Sequence, residues 1–131
     1  MAINKETKAK SIALIVLTIL SISLFLFSQY QKVEIMYFTN QKCLLTKNTD
    51  SIIEEMKLDF GDRIKVREIK VNMYPDDQPD TEEIKMLREK YQVYGTPDII
   101  IEGEKFTMSF TKDNLMKKIC ERFIIKPVVC L

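Results

Sequence analysis

The sequence predicts an α/β domain, with a central mixed sheet of about four strands and flanking helices, preceded by one N-terminal transmembrane helix. Three observations predict it. An uncharged, strongly apolar run fills residues 11–31. Behind it, apolar residues switch between the two-residue alternation of strands and the wider recurrence of helices. Taken in order, the segments read strand, helix, strand, helix, strand, strand, helix. Two strands joined by a helix imply a parallel pair, and a closing hairpin adds antiparallel partners.

The chain has 131 residues and a formal net charge of +1, enough for one domain and a small appendage. Histidine is absent, which removes Cys–His and Ser–His–Asp catalysis and any His-based metal site. The cysteines, Cys43, Cys120 and Cys130, are too few and too scattered for a disulfide scaffold or a four-thiolate zinc site. No metal and no cofactor is expected. No basic stripe stands out, so nucleic acid is not an expected partner.

Residues 1–10 carry Lys5, Lys8 and Lys10 against Glu6 and are expected to be a cytoplasmic N-terminus. Residues 11–31 follow. As a helix they would run about 31 Å, close to the hydrocarbon thickness of a bilayer. Gln29, Tyr30 and Lys32 supply an interfacial flank. The run is long for a signal peptide and lacks a clean small-x-small cleavage pattern, so a retained signal anchor is favoured over a cleaved signal. Either way the domain, residues 32–126, is expected outside the cytoplasmic membrane, where disulfide chemistry is permitted. The expected localisation is a single-pass cell-membrane protein.

Val33 to Phe38 is a mostly apolar run that suits a strand buried on both faces. Thr39 to Lys42 reads as a short loop. Leu44, Leu45, Ile52, Ile53 and Met56 predict a helix over about 44–58, closed by Gly61-Asp62. Ile64 to Val71 is strand-like, and its alternation slips between Arg67 and Glu68, as a bulge would make it. Asn72 to Pro79 is a loop. Asp80 with Glu83 resembles a capping pair for a helix reaching Tyr91. Asp98 to Glu102 and Lys105 to Phe110 form a hairpin about Gly103-Glu104. Thr111 to Asp113 caps a last helix, whose stripe is Leu115, Met116, Ile119, Cys120 and Phe123. Pro127 stops it, leaving residues 127–131 as a tail. Asp76, Asp77, Asp80, Glu82 and Glu83 lack calcium-loop spacing and read as a solvated acidic loop.

Cys43 stands where the first loop feeds the first helix of the domain. Unpaired backbone N–H groups and the positive end of the helix dipole both favour thiolate there, and thiolate is the reactive form. Lys42 and Lys47 either lower its pKa further or are simply solvated lysines.

These elements, with a cysteine after the first strand and Gly95-Thr96-Pro97 ahead of the third, resemble the thioredoxin fold. The local text is similar to membrane-anchored thioredoxin-like proteins, over about residues 33–125. The resemblance puts Cys43 on the attacking cysteine and Pro97 on the cis-proline, with the Thr96 backbone pairing an extended substrate. The second cysteine of Cys-x-x-Cys falls on Thr46, so the motif is a monothiol Cys-x-x-Thr. Thr46 cannot resolve a mixed disulfide, but its hydroxyl can hydrogen-bond the Cys43 thiolate. The family's buried acid is not apparent in the first strand. In this topology Cys120 lies about two turns down the last helix, some 10–14 Å from the site. A bridge needs Cα atoms within about 7 Å, so neither Cys120 nor Cys130 is expected to pair with Cys43. Cys120 reads as a core residue, and a Cys120–Cys130 pair stays open if the tail folds back.

The expected function is thiol–disulfide exchange through Cys43, with Thr46 beside it and Thr96 and Pro97 binding substrate. The expected partners are protein thiols or disulfides, or a small-molecule thiol. The alternative is a redox-inactive module that binds an extended segment of a membrane or secreted partner.

Overall fold

The computed structural model describes residues 5–131, without the side chains of residues 5–6 and 28–30. The first four residues of the expected cytoplasmic N-terminus, and the interfacial Gln29 and Tyr30 side chains, lie outside that description. The chain divides into two compact units between Gln31 and Lys32.

The first unit is one helix, α1 (Lys5–Tyr30). It begins earlier than the uncharged run. Thr7–Phe27 is long and apolar enough to cross a membrane, and its described side chains are exposed on every side. Its polar groups are turned inward on the helix itself. Thr18 Oγ1 donates to the Ile15 carbonyl at 2.8 Å, and Ser21 Oγ to the Leu17 carbonyl at 2.8 Å. Such back-bonding satisfies these two hydroxyls within the helix.

The second unit is built on a four-stranded sheet in the order β2-β1-β3-β4. Its strands are β1 (Val33–Thr39), β2 (Ile64–Lys70), β3 (Asp98–Ile101) and β4 (Glu104–Lys105). β1 pairs parallel with β2 and antiparallel with β3. It is central, and its apolar run is buried on both faces. Val33, Ile35 and Tyr37 point to one face, where α2 (Leu44–Phe60) and α4 (Lys112–Cys120) supply Ile53, Met56, Phe60, Leu115 and Ile119. Phe38 points to the other, packing with Ile69, Val71, Val93 and Ile100 under α3 (Glu82–Tyr91).

Four local expectations are corrected. First, β2 carries no bulge: its seven residues pair in unbroken register with β1, from Val33 with Ile64 to Thr39 with Lys70. The slip arises because the two faces are covered at different ends of the strand. Ile64 and Val66 meet the α2 side, while Ile69 and Val71 meet the α3 side. Second, α3 is capped by Thr81, whose hydroxyl accepts from the Ile84 N–H, and not by Asp80 with Glu83. Asp80 instead accepts from the Asn72 N–H at 2.6 Å and from Arg88 at 2.5 Å. Third, the hairpin's second strand is only Glu104–Lys105, although the Phe106 N–H still reaches the Ile99 carbonyl at 2.8 Å. Beyond it the chain leaves the sheet for the Thr111 cap, which accepts from the Asn114 N–H. Fourth, α2 runs past Leu58 to Phe60 and ends at Gly61, whose φ of 55° suits glycine.

Phe123, just beyond α4, stacks on Phe60 at 6.1 Å between ring centres. A disulfide then joins Cys120 to Cys130, with Cα atoms 5.6 Å apart. Cys120 is thus both a core residue and half of a bridge that straps the tail to α4.

Candidate active site

Cys43 is the N-cap residue of α2, with extended backbone at φ −80° and ψ 122°, and the helix start has no side-chain cap hydrogen bond. An N-cap side chain ordinarily accepts from the second or third N–H of the helix. Here that side chain is a thiol, a poor acceptor, and its thiolate is a good one. Ionisation therefore completes the cap.

The environment of the sulfur follows this logic. Burial opposes ionisation of Cys43. Against it, the Thr46 hydroxyl, the N–H groups of Thr46 and Leu45, and the Thr96 side chain favour the thiolate, and the Cys43 pKa lies below the ordinary thiol value. Thr46 is 1% exposed, and its hydroxyl has no hydrogen-bond partner beside the neutral thiol. A buried hydroxyl left waiting in this way is satisfied once the sulfur carries charge. Across the site, the Cys43 thiol donates to the Thr96 carbonyl at 3.5 Å. The Thr96–Pro97 peptide bond is cis. The structure thus places the Cys43 sulfur against the Thr96 carbonyl, near Thr46, with Pro97 next in the chain, directly ahead of β3.

A residue that sequence reading passed over as loop fixes the approach to Cys43. Asn40 is 6% exposed. Its side-chain amide donates to the Val71 carbonyl at 2.9 Å and to Asp77 at 2.7 Å. Its side-chain oxygen accepts from the Lys42 N–H at 2.9 Å, and its backbone carbonyl from the Cys43 N–H at 3.0 Å. Asp77 also accepts from the N–H groups of Met73 and Tyr74. The acidic loop is therefore not simply solvated: Asp77 pins the segment 72–77 under the cysteine loop, and Asp80 ties its far end to Arg88. Lys42 pairs with Asp76 and Asp77, each at 2.7 Å. Its hydrogen bonds to Asp76 and Asp77 raise its own pKa. Lys42 is spent on the loop, and the groups that lower the Cys43 pKa are Thr46, Leu45 and Thr96.

Residues close to Cys43 and Thr96 in sequence expose apolar side chains. Leu44 is 78% exposed, Leu45 67%, and Tyr94, two residues before Thr96, 80%. Among the described residues no cluster of His, Cys, Asp and Glu could hold a metal ion. Cys43 is free, and the other two cysteines are bonded to each other.

No protein-family model and no curated protein matches the chain. Solved structures do. Thioredoxin-2 of the malaria parasite, a component of its protein secretion machinery, aligns over 70% of this chain and 84% of its own, with 19% identity and a TM-score of 0.50. The germline-specific thioredoxin Deadhead of Drosophila melanogaster aligns over 77% and 90%, with 12% identity and a TM-score of 0.51. The thioredoxin domain of a thiol-disulfide oxidoreductase from Bacteroides vulgatus aligns over 70% and 79%, with 15% identity and a TM-score of 0.50. At these identities the likeness is one of fold. A mixed four-stranded sheet, helices on both faces, and a cysteine-capped helix facing a cis-proline give the chain a thioredoxin-like fold.

Proposed function

We propose that this protein carries out thiol–disulfide exchange through Cys43, as a domain anchored by α1 and facing the extracytoplasmic side of the membrane. The observation that carries the reading is the sulfur at the N-cap of α2, where the thiolate completes a cap that the thiol leaves open. The thiolate attacks one sulfur of a partner disulfide. A Cys43–partner bond forms, the partner's own S–S bond breaks, and the other partner sulfur leaves as thiolate. Thr46 has no sulfur to reverse this. A second thiolate, from the same substrate or from a small molecule, attacks the mixed disulfide and restores Cys43 as thiolate. No net oxidation or reduction of the protein occurs, so isomerisation and thiol relay fit better than self-sufficient oxidation. The backbone at Thr96 is the proposed pairing edge for the substrate segment.

The Cys120–Cys130 disulfide supports an oxidising compartment, since such bonds persist there and are rare in reducing cytosol. The lysines ahead of the apolar helix support a cytoplasmic N-terminus.

The test is the rate of iodoacetamide alkylation of the full chain against pH. A midpoint below the free-thiol value of about 8.5 is expected, together with mixed disulfides trapped on Cys43 in intact membranes. An ordinary midpoint and no trapped species would leave the second reading, a binding module. The exposed Leu44, Leu45 and Tyr94 favour that alternative. It predicts that Cys43→Ser keeps full biological activity.

A further inference from the structure

Beneath the cysteine-capped turn lies a buried phenol that the exchange chemistry does not use. Tyr37, on β1, is 1% exposed, and its hydroxyl donates to Asp50 Oδ1 at 2.7 Å. The same oxygen lies 3.4 Å from the Thr46 carbonyl. Residues 46 and 50 are the two ends of one turn of α2. One hydroxyl from the central strand therefore touches both ends of the turn that carries the Thr46 side chain. Thr46 is in turn the residue whose buried, unpartnered hydroxyl serves the Cys43 thiolate.

We propose that Tyr37, with Asp50, is a positioning pair for the Cys43 site: it clamps the 46–50 turn of α2 to β1, so that the Thr46 hydroxyl and N–H stay aimed at the sulfur. The proposal rests on the reading of Cys43 as a reactive thiolate. The clamp has a donor at every working pH. Burial and the bond to Asp50 raise the Tyr37 pKa well above the usual phenol value, so the hydroxyl keeps its proton. It also has its own access to solvent, because a cavity of about 250 Å³ lined by Tyr37, Thr39, Asp50 and Glu68 opens beside it. Asp50 lines the same cavity and is exposed.

Other charges around the turn do not reproduce this. Lys42 is held by Asp76 and Asp77, and Asp98, at the start of β3, pairs with Lys105 at 2.7 Å. Glu68 of β2 acts on Tyr37, and Lys57 binds it at 2.9 Å. Lys47 is exposed on α2. The Tyr37 hydroxyl joins β1 to the first turns of α2, through Asp50 and the Thr46 carbonyl.

The experiment is the pH profile of Cys43 alkylation in the full chain, for wild type, Tyr37→Phe, Asp50→Ala and Asp50→Asn. Tyr37→Phe keeps the ring in the core and removes only the hydroxyl. Asp50→Ala removes the acceptor from an exposed position and so keeps the test open should the core variant fold poorly. Both are expected to move the midpoint up by about half a unit, a roughly threefold loss of thiolate at pH 7. Asp50→Asn retains an acceptor oxygen and is expected to restore most of the shift. A wild-type midpoint that is low but unmoved in Tyr37→Phe and Asp50→Ala overturns the clamp alone. An ordinary wild-type midpoint overturns the thiolate reading on which it rests.

Discussion

Thr46 and Asn40 make opposite kinds of contribution at Cys43. Thr46 stabilises a charge; Asn40 holds a shape. A hydrogen bond to an ionised group contributes about 1.5–3 kcal/mol, and one pKa unit corresponds to about 1.4 kcal/mol. Thr46→Val, which keeps the volume and removes the hydroxyl, is therefore expected to raise the alkylation midpoint of Cys43 by about one unit and leave the fold intact. Asn40→Ala is expected to lower stability by about 2–4 kcal/mol in urea unfolding, because it strands the buried Val71 carbonyl and one side of Asp77. The depressed Cys43 pKa also sets a sign. The folded state binds its proton less tightly than the unfolded chain. The stabilisation it confers is fully present above the unfolded thiol's pKa and is lost as pH falls through the lower, folded value. Subtracting Cys43→Ser from wild type should show stability rising with pH across that window, and a flat difference would contradict a lowered pKa. The positions of Cys43 and Thr46 at the start of α2, and of Thr96-Pro97 just ahead of β3, were legible because each sits at a fixed offset from a helix or strand start. Asn40 was not: its four partners come from residues 42, 43, 71 and 77, and no local pattern marks a contact across some thirty residues.

The elements were legible wherever one periodicity ran through a whole segment, as in β1, α2 and the stripe of α4. They misled where tertiary cover changed along the element. β2 is apolar on one face at its start and on the other at its end, and an alternation that crosses over imitates an inserted residue. The segment after β4 alternates like a strand, yet only Glu104–Lys105 pair, because the chain must reach Thr111 to begin α4. Asp80 looked like a cap because it stands one residue before the true one, and its carboxylate has a stronger partner in Arg88. The tail shows a different effect. Closing the short loop between Cys120 and Cys130 removes entropy from the unfolded chain worth about 2–3 kcal/mol. Reduction of the full chain, or Cys130→Ser, is expected to lower the unfolding midpoint accordingly while leaving the Cys43 alkylation profile unchanged. Scanning calorimetry with and without reductant reads the first effect, and the pH profile reads the second.

The chain joins a domain built on a four-stranded sheet to an apolar helix. One edge of that sheet is β2, which pairs only with β1 among the described residues. Lys65, Arg67 and Lys70 stand along it, and charges of this kind discourage pairing with another chain. Lys65 and Arg67 are themselves paired, with Glu34 and Glu83. The proposed anchor makes a simple prediction at this scale. The full chain should stay with the membrane pellet in alkaline carbonate, and Leu17→Arg with Leu20→Arg in the middle of the run should release it, since a charge at a helix centre costs about 2.5–3.5 kcal/mol on insertion scales. Retention of that double variant would contradict a spanning helix. The pairing of Cys120 with Cys130 leaves one exchangeable sulfur per chain. Under the proposed exchange, a captured client would occupy an entire copy until some other sulfur displaced it, so throughput would be limited by copy number and by the supply of the displacing compound.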